Sequence, residues 1–283
     1  MAKLPSYVSK AAEAWKEVSG STAQSAGVVL AGDDRLVALA QQRFSSGGTL
    51  PASWVRPLAE LSQFSSVPGE VLVVLVSPDQ ESETLAALGQ SLPKGRAVVA
   101  VDEGSEATMR TTYPGRRVIR LSFCDTDRGW SRLLGVCAEA AGDHVAALGR
   151  RYPAMRSAAA DRVVSRTAGQ NALVGLAFFV PGADMPAMTL NQAKMVLSIA
   201  GIYGMEIDRE RAIEVAGILG MGLGLRALAR YLLRSVPGIG LIVKAGTGYA
   251  ATVAIGKAAI RYFEKGAPAS TSRVVGLVDS LRR

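Results

Sequence analysis

From residue 27 to about 125, short apolar runs alternate with stretches whose apolar positions recur every three or four residues. Gly27–Ala31, Val71–Val76, Ala97–Val101 and Arg117–Ser122 are continuous, rich in Val and bounded by Gly, Pro or Asp. Such runs suit strands covered on both faces, as in a parallel sheet. Between them, Leu36–Phe44, Trp54–Phe64 and Glu81–Ser91 carry helical spacing. Strand alternating with helix predicts a doubly wound α/β domain over residues 27–150. A longer helix is predicted over Trp130–Arg151, with Leu133, Leu134, Cys137, Ala141 and Val145 on one face. Residues 1–26 form a polar lead, in which Ala11–Val18 reads as a short amphipathic helix and Gly20–Ser25 as a linker.

The pattern changes near Pro153. Arg150, Arg151, Arg156, Arg162 and Arg166 make a basic stretch, and beyond it strand signals stop. Residues 151–265 read as an all-α domain of four Gly/Ala-rich segments, Gln170–Val180, Met188–Gly204, Glu210–Leu233 and Pro237–Phe263. These are separated at Pro181-Gly182, Gly204 and Pro237-Gly238. Residues 266–283 form a linker and an amphipathic tail with Val274, Leu277, Val278 and Leu281 on one face.

A membrane-spanning helix needs about 20 mostly apolar residues. Ala187–Met205 contains Asn191, Gln192 and Lys194, and Ala212–Leu225 contains Glu214 and stops at Arg226; Pro237–Ile255, interrupted only by Lys244, is the best candidate. Glycines are frequent, with Gly220 and Gly224 forming a G-x-x-x-G pair. Each glycine inside a helix costs about 1 kcal/mol relative to alanine in water. Close helix packing, in lipid or within a bundle, offsets that cost and opens a route to oligomers. The expectation is membrane association of the second half, by full spans, a helical hairpin or shallow insertion. The first half is expected in the cytoplasm, because the chain's start carries no secretory signal.

Composition sets outer bounds. The 283 residues carry a formal charge of +8, with 49% hydrophobic and 20% charged residues, which excludes disorder throughout. The positive charge suits an anionic partner. Aromatics make up only 6% and rarely interleave with the basic residues, which argues against stacking on single-stranded nucleic acid. Cys124 and Cys137 lack metal-ligand spacing, and the single histidine, His144, reads as a solvated residue on a polar helix. No metal site, cofactor or catalytic residue is expected. Asp125-Thr126-Asp127 reads as the cap of the helix predicted from Trp130.

The chemistry turns on Ala26–Leu39, which reads as a strand, a glycine turn and a helix start. A nucleotide-binding loop of the form G-x-x-x-x-G-K-[ST] cradles phosphates on glycine N–H groups, neutralises them with Lys and holds Mg²⁺ on Ser/Thr. Counted from Gly32, the last three places hold Val37, Ala38 and Leu39, and Asp33 and Asp34 bring negative charge to the phosphate's position. The pattern keeps the outline of a nucleotide switch without its working groups.

In the second half, Pro181-Gly-Ala-Asp-Met-Pro186, Gln192-Ala-Lys-Met195 and Ile199-Ala-Gly-Ile-Tyr-Gly204 resemble a bacterial domain of unknown function. It follows GTPase domains and occurs in YcjF-like proteins. Arg230-Tyr-Leu-Leu233, Val236-Pro-Gly-Ile-Gly240 and Gly246-Thr-Gly-Tyr-Ala250 resemble the same domain, over about residues 165–265. The resemblance implies membrane association and GTPase partnership, and no catalytic residue. It also makes the first half resemble a truncated, degenerate Ras/Era-like GTPase domain. Val98-Val-Ala-Val-Asp-Glu103 stands where the base-recognition motif N-K-x-D would be, keeping only Asp102; Val99 and Ala100 replace Asn and Lys. No D-x-x-G switch lies between Phe44 and Glu70. Gly32, Val37, Ala38, Leu39 and Asp102 are thus vestigial positions.

The expected function is a non-catalytic, GTPase-like scaffold or partner. It would meet anionic membrane lipids through Arg150, Arg151, Arg156, Arg162, Arg166, Arg226, Arg230 and Arg234, and a protein partner such as an active GTPase. A divergent nucleotide-binding GTPase or ATPase is one alternative, and a soluble basic nucleic-acid-binding protein a second.

Overall fold

The computed structural model describes residues 17–22, 24–45, 55, 69–77, 97–102, 112–113, 116–120, 126–177, 185–205 and 241–265. The chain divides into two compact units. One is Ala23–Arg162, and the other combines Met1–Thr22 with Val163–Arg283.

The first unit is α/β. Strands β1 (Gly27–Gly32), β2 (Glu70–Val76), β3 (Ala97–Val101), β4 (Thr112–Tyr113) and β5 (Arg116–Arg120) form one sheet in the order β1-β2-β3-β5-β4. β1, β2, β3 and β5 run parallel, and only β4 is antiparallel. The register aligns Val29 with Leu72 and Leu72 with Ala97, so Val29, Ala31, Leu72, Val74, Val76, Ala97, Val99 and Val101 share a face. Val71, Val73, Leu75, Val98 and Ala100 on the other face are buried as well. Burial on both faces is the physical reason these strands are apolar at every position.

On the free side of β1, Leu30 makes a parallel bridge to Val55. The chain is therefore extended at Val55, where a helix from Trp54 was predicted. The rest of Trp54–Phe64, and all of Glu81–Ser91, lie outside the described residues. With Val55 on one side of β1 and β2 on the other, successive connections leave β1 in opposite directions. A doubly wound sheet binds its ligands at such a crossing, outside the carboxyl ends of the strands.

Helix α1 (Asp34–Phe44) buries Leu36, Val37, Ala40 and Phe44, spaced to one face, and ends with Arg43 in its last turn. Helix α2 (Asp127–Ala140) starts three residues before the predicted Trp130. Its cap is the Thr126 hydroxyl, which accepts from the Gly129 N–H at 3.0 Å, rather than an aspartate. Asp127 instead pairs with Arg43 at 3.2 Å. The two helices meet through the Phe44 and Trp130 rings, edge to face at 5.2 Å between centroids.

The predicted helix over Trp130–Arg151 is broken. A 3₁₀ turn at Gly142–His144 separates α2 from α3 (Val145–Arg151), and Gly142 has φ +58°. That left-handed geometry ends a helix cheaply only at glycine. The break also moves His144 from the expected solvated site. Its ring is half-buried, with Nδ1 3.1 Å from where a Cβ on Gly69 would lie, and that nitrogen is buried without a hydrogen-bond partner.

Tyr152, buried at the end of α3, ties this segment to the sheet. Burial pushes its hydroxyl from 10.0 up to about 12, against a smaller opposing effect of the Val28 hydrogen bond. Burial also pushes the Cys137 thiol from 9.0 up to about 12. Both groups hold their proton more tightly when folded. The stability they carry is therefore complete below the unfolded values and is lost as pH rises through about 12. The expected outcome is a thermal midpoint that falls steadily above about pH 9, with Cys137 inert to thiol reagents near neutral pH until the chain unfolds. A midpoint flat through this alkaline range would contradict it.

The second unit is all-α in its described part. Helix α4 (Arg156–Ala177) lies across the division between units. It begins far ahead of the predicted Gln170, because Ala158–Ala160 and the arginines Arg156, Arg162 and Arg166 are good helix formers. Helices α5 (Met185–Ile202) and α6 (Leu241–Glu264) follow. α5 is buried almost all round, including Met188, Val196, Leu197, Ile199 and Ile202. Gly256 lets α6 cross α4 closely, since a Cβ there would lie 2.4 Å from Val164 Cγ2. Gly248 likewise faces Met188 at 3.2 Å, whereas Gly246 faces open space. Two of the helix glycines thus have a packing reason that needs no lipid. Among the described residues, no helix is long and apolar enough to cross a membrane. Glu210–Leu233, with the Gly220/Gly224 pair, lies outside them.

Candidate functional site

The carboxyl end of the sheet is where the sequence placed a vestigial nucleotide site. β1 ends at Gly32 and α1 begins at Asp34, so Asp33 alone joins them. Gly32 has φ +123°, and a Cβ there would lie 1.8 Å from the Leu75 carbonyl oxygen. The Asp33 N–H donates to that same carbonyl at 2.9 Å. The turn is therefore pressed against β2 at the crossing point of the sheet.

A helix start leaves four backbone N–H groups free, and this is what makes it an anion site. In α1 the chain uses three of them itself. The Asp33 carboxylate accepts from the Arg35 N–H at 2.9 Å and the Leu36 N–H at 3.1 Å. With the Asp33 N–H on Leu75, three of the four are engaged. The next N–H, on Val37, already makes the first helical bond to the Asp33 carbonyl. A fixed carboxylate thus holds the place and the donors a phosphate would take. Val37 is buried in the core, Ala38 is exposed and Leu39 half-buried, and none carries an ammonium or a hydroxyl.

Asp102 stands at the end of β3, its N–H donating to the Val76 carbonyl at 3.0 Å. Its Oδ1 is buried without a hydrogen-bond partner. The structure thus places Asp33 and Asp102 at the same end of the sheet.

The arginines divide by role. Arg150 and Arg166 are exposed. Arg151 donates to the Ala26 carbonyl at 2.8 Å, Arg162 lies 4.0 Å from Glu139, and Arg156 buries an unpartnered Nε. Arg226, Arg230 and Arg234 lie outside the described residues.

Within the second unit the sequence reading missed a polar network. Asn171 on α4 donates through Nδ2 to Thr252 Oγ1 on α6 at 2.9 Å, and Gln192 on α5 donates to the same oxygen at 3.0 Å. Thr252 in turn donates to the Gly248 carbonyl at 2.8 Å, and Asn191 donates to Asn171 Oδ1 at 2.9 Å. Asn171, Gln192 and Thr252 are buried. One hydroxyl thus accepts two amide donors and donates once, joining three helices. Asn191 and Gln192 were legible as polar interruptions; their partners, on helices distant in sequence, were not. Lys194, another interruption, pairs with Glu17.

Residues 142–281 match the family model of a domain of unknown function, DUF697, the domain that accompanies GTPases. The match is wider at both ends than the resemblance read from sequence. No GTPase family model matches the amino-terminal part. No curated protein and no solved structure matches the chain.

Proposed function

We propose that this protein is a non-catalytic partner or scaffold in a GTPase system, in which an α/β unit that binds no nucleotide is fused to a membrane-associating helical domain. The observation that carries the reading is the Asp33 carboxylate bonded to the Arg35 and Leu36 N–H groups. A free helix start attracts phosphate, and a carboxylate fixed on it repels phosphate. The match to a domain that accompanies GTPases supports the partnership.

Membrane contact is peripheral in this proposal. Leu173 and Tyr249, 66% and 45% exposed, are the large apolar side chains left uncovered among the described residues. Exposed Arg150 and Arg166 suit anionic headgroups. The test is flotation of the full chain with vesicles. It is expected to float with phosphatidylserine-containing vesicles, to be released by high salt, and to stay down with neutral ones. Retention through a carbonate wash would make the attachment integral, and no flotation with either vesicle would overturn the membrane part.

A further inference from the structure

Two contacts fix how α4 and α6 run past each other in the second unit. Val164 of α4 lies against Gly256, where a Cβ would come within 2.4 Å of its Cγ2. Further along α4, Asn171 donates to Thr252 Oγ1 at 2.9 Å, and its carbonyl oxygen lies 3.4 Å from where a Cβ on Gly248 would be. The two helices are therefore antiparallel, and the carboxyl end of α4 lies beside the amino end of α6. Leu173 follows Asn171 by two residues, about 3 Å along the axis, and Tyr249 stands between Gly248 and Thr252. Leu173 and Tyr249, the large apolar side chains left exposed among the described residues, thus stand at one level, toward one end of the unit. Charge is arranged behind them. From Gly246 to Ala254 the exposed positions of α6 carry none, and Lys257 is the next exposed position. On α4 the exposed Arg166 precedes Leu173. At 1.5 Å per residue, Lys257 lies about 12 Å from Tyr249 along its helix and Arg166 about 10 Å from Leu173. Two cations on different helices therefore share one depth behind two apolar side chains.

We propose that this end of the second unit, marked by Leu173 and Tyr249, is the tip that docks on an anionic lipid surface, with Arg166 and Lys257 at the headgroup phosphates. This docking presupposes the peripheral membrane contact proposed above and names the surface that makes it. Apolar groups of a peripheral helix reach about 5–10 Å into the boundary between headgroups and chains. Tyrosine suits that level, because its ring is apolar and its hydroxyl polar. Insertion to that depth brings Arg166 and Lys257 to the phosphates, where each cation adds attraction. α4 and α6 then meet the bilayer by their ends rather than along a side. Lys265, beyond the far end of α6, lies about 24 Å from Tyr249 along the axis. That is well past the screening length of about 8–10 Å at ordinary ionic strength.

The test is the affinity of the full chain and three variants for phosphatidylserine-containing vesicles, read by flotation at about 0.1 M salt. The double variant Leu173→Gln with Tyr249→Gln keeps helix propensity and net charge and removes the apolar groups. It is expected to bind about tenfold more weakly. Lys257→Gln removes one cation behind the tip, with an expected loss of about fivefold. Lys265→Gln removes the same charge at the far end and should stay within about twofold of the parent. All three alter exposed positions and should keep the parent's helical circular dichroism. A double variant that floats like the parent would overturn the tip and leave the membrane contact standing, whereas a parent that fails to float would overturn both. Equal losses from Lys257→Gln and Lys265→Gln would lay α6 along the surface and overturn docking by its end. A double variant that floats normally but changes the oligomeric state without vesicles would make the tip an interface between copies, which also overturns the proposal.

Discussion

Gly32→Ala is expected to cost the α/β unit about 3 kcal/mol or more, a large share of the 5–15 kcal/mol that holds an ordinary domain together. Two independent effects act there. The φ of +123° is open to glycine and strained for alanine. A Cβ would also lie 1.8 Å from the Leu75 carbonyl oxygen, inside the backbone of the neighbouring strand. The obstacle is backbone, so no side-chain rotation relieves it, and β1 must part from β2. Hydrogen exchange should show the β1 and β2 amides opening together. Gly246→Ala is the control, because Gly246 lies in a helix, is exposed and faces open space. It should be neutral or slightly stabilising. Equal stability of the two variants would refute the tight turn.

Thr252→Val is expected to have the next largest effect. The substitution keeps the shape and removes the oxygen that accepts from both Asn171 and Gln192. Two amide donors then stay buried without an acceptor, at about 1–3 kcal/mol each. The loss should be about 2–6 kcal/mol in the second unit. It is read as a lower urea midpoint for the helical circular dichroism signal. The quadruple variant Asn171→Leu, Asn191→Leu, Gln192→Leu and Thr252→Val removes the amide donors together with their acceptors and should lose less than Thr252→Val alone. A single variant within about 0.5 kcal/mol of the parent would mean the network does not hold the helices.

The strands were legible because burial on both faces leaves a mark at every position. Val71–Val76 and Ala97–Val101 match β2 and β3 almost residue for residue. β4, a two-residue strand paired with β5, left no such mark. The break at Gly142 did have a signal, the glycine itself, but apolar spacing continued across it from Cys137 to Val145 and hid it. The negative charge of Asp33 and Asp34 was readable; that Asp33 turns back to bond the Arg35 and Leu36 N–H groups required φ and ψ. Gly256 read equally well as a lipid-packing glycine until its partner, Val164, was in place. Contacts between residues distant in sequence leave no periodicity in either segment, which is why the polar network went unread.

The central claim is that the helix start which would hold a phosphate is already occupied by the chain's own carboxylate. The most direct measurement is equilibrium binding of a fluorescent GTP analogue to the full chain, in Mg²⁺, followed by anisotropy and competed with unlabelled GTP and GDP. The account predicts no saturable binding up to about 1 mM, weaker than about 4 kcal/mol. Saturable binding at micromolar concentrations, displaced by unlabelled nucleotide, would contradict it and return the α/β unit to the working nucleotide switches.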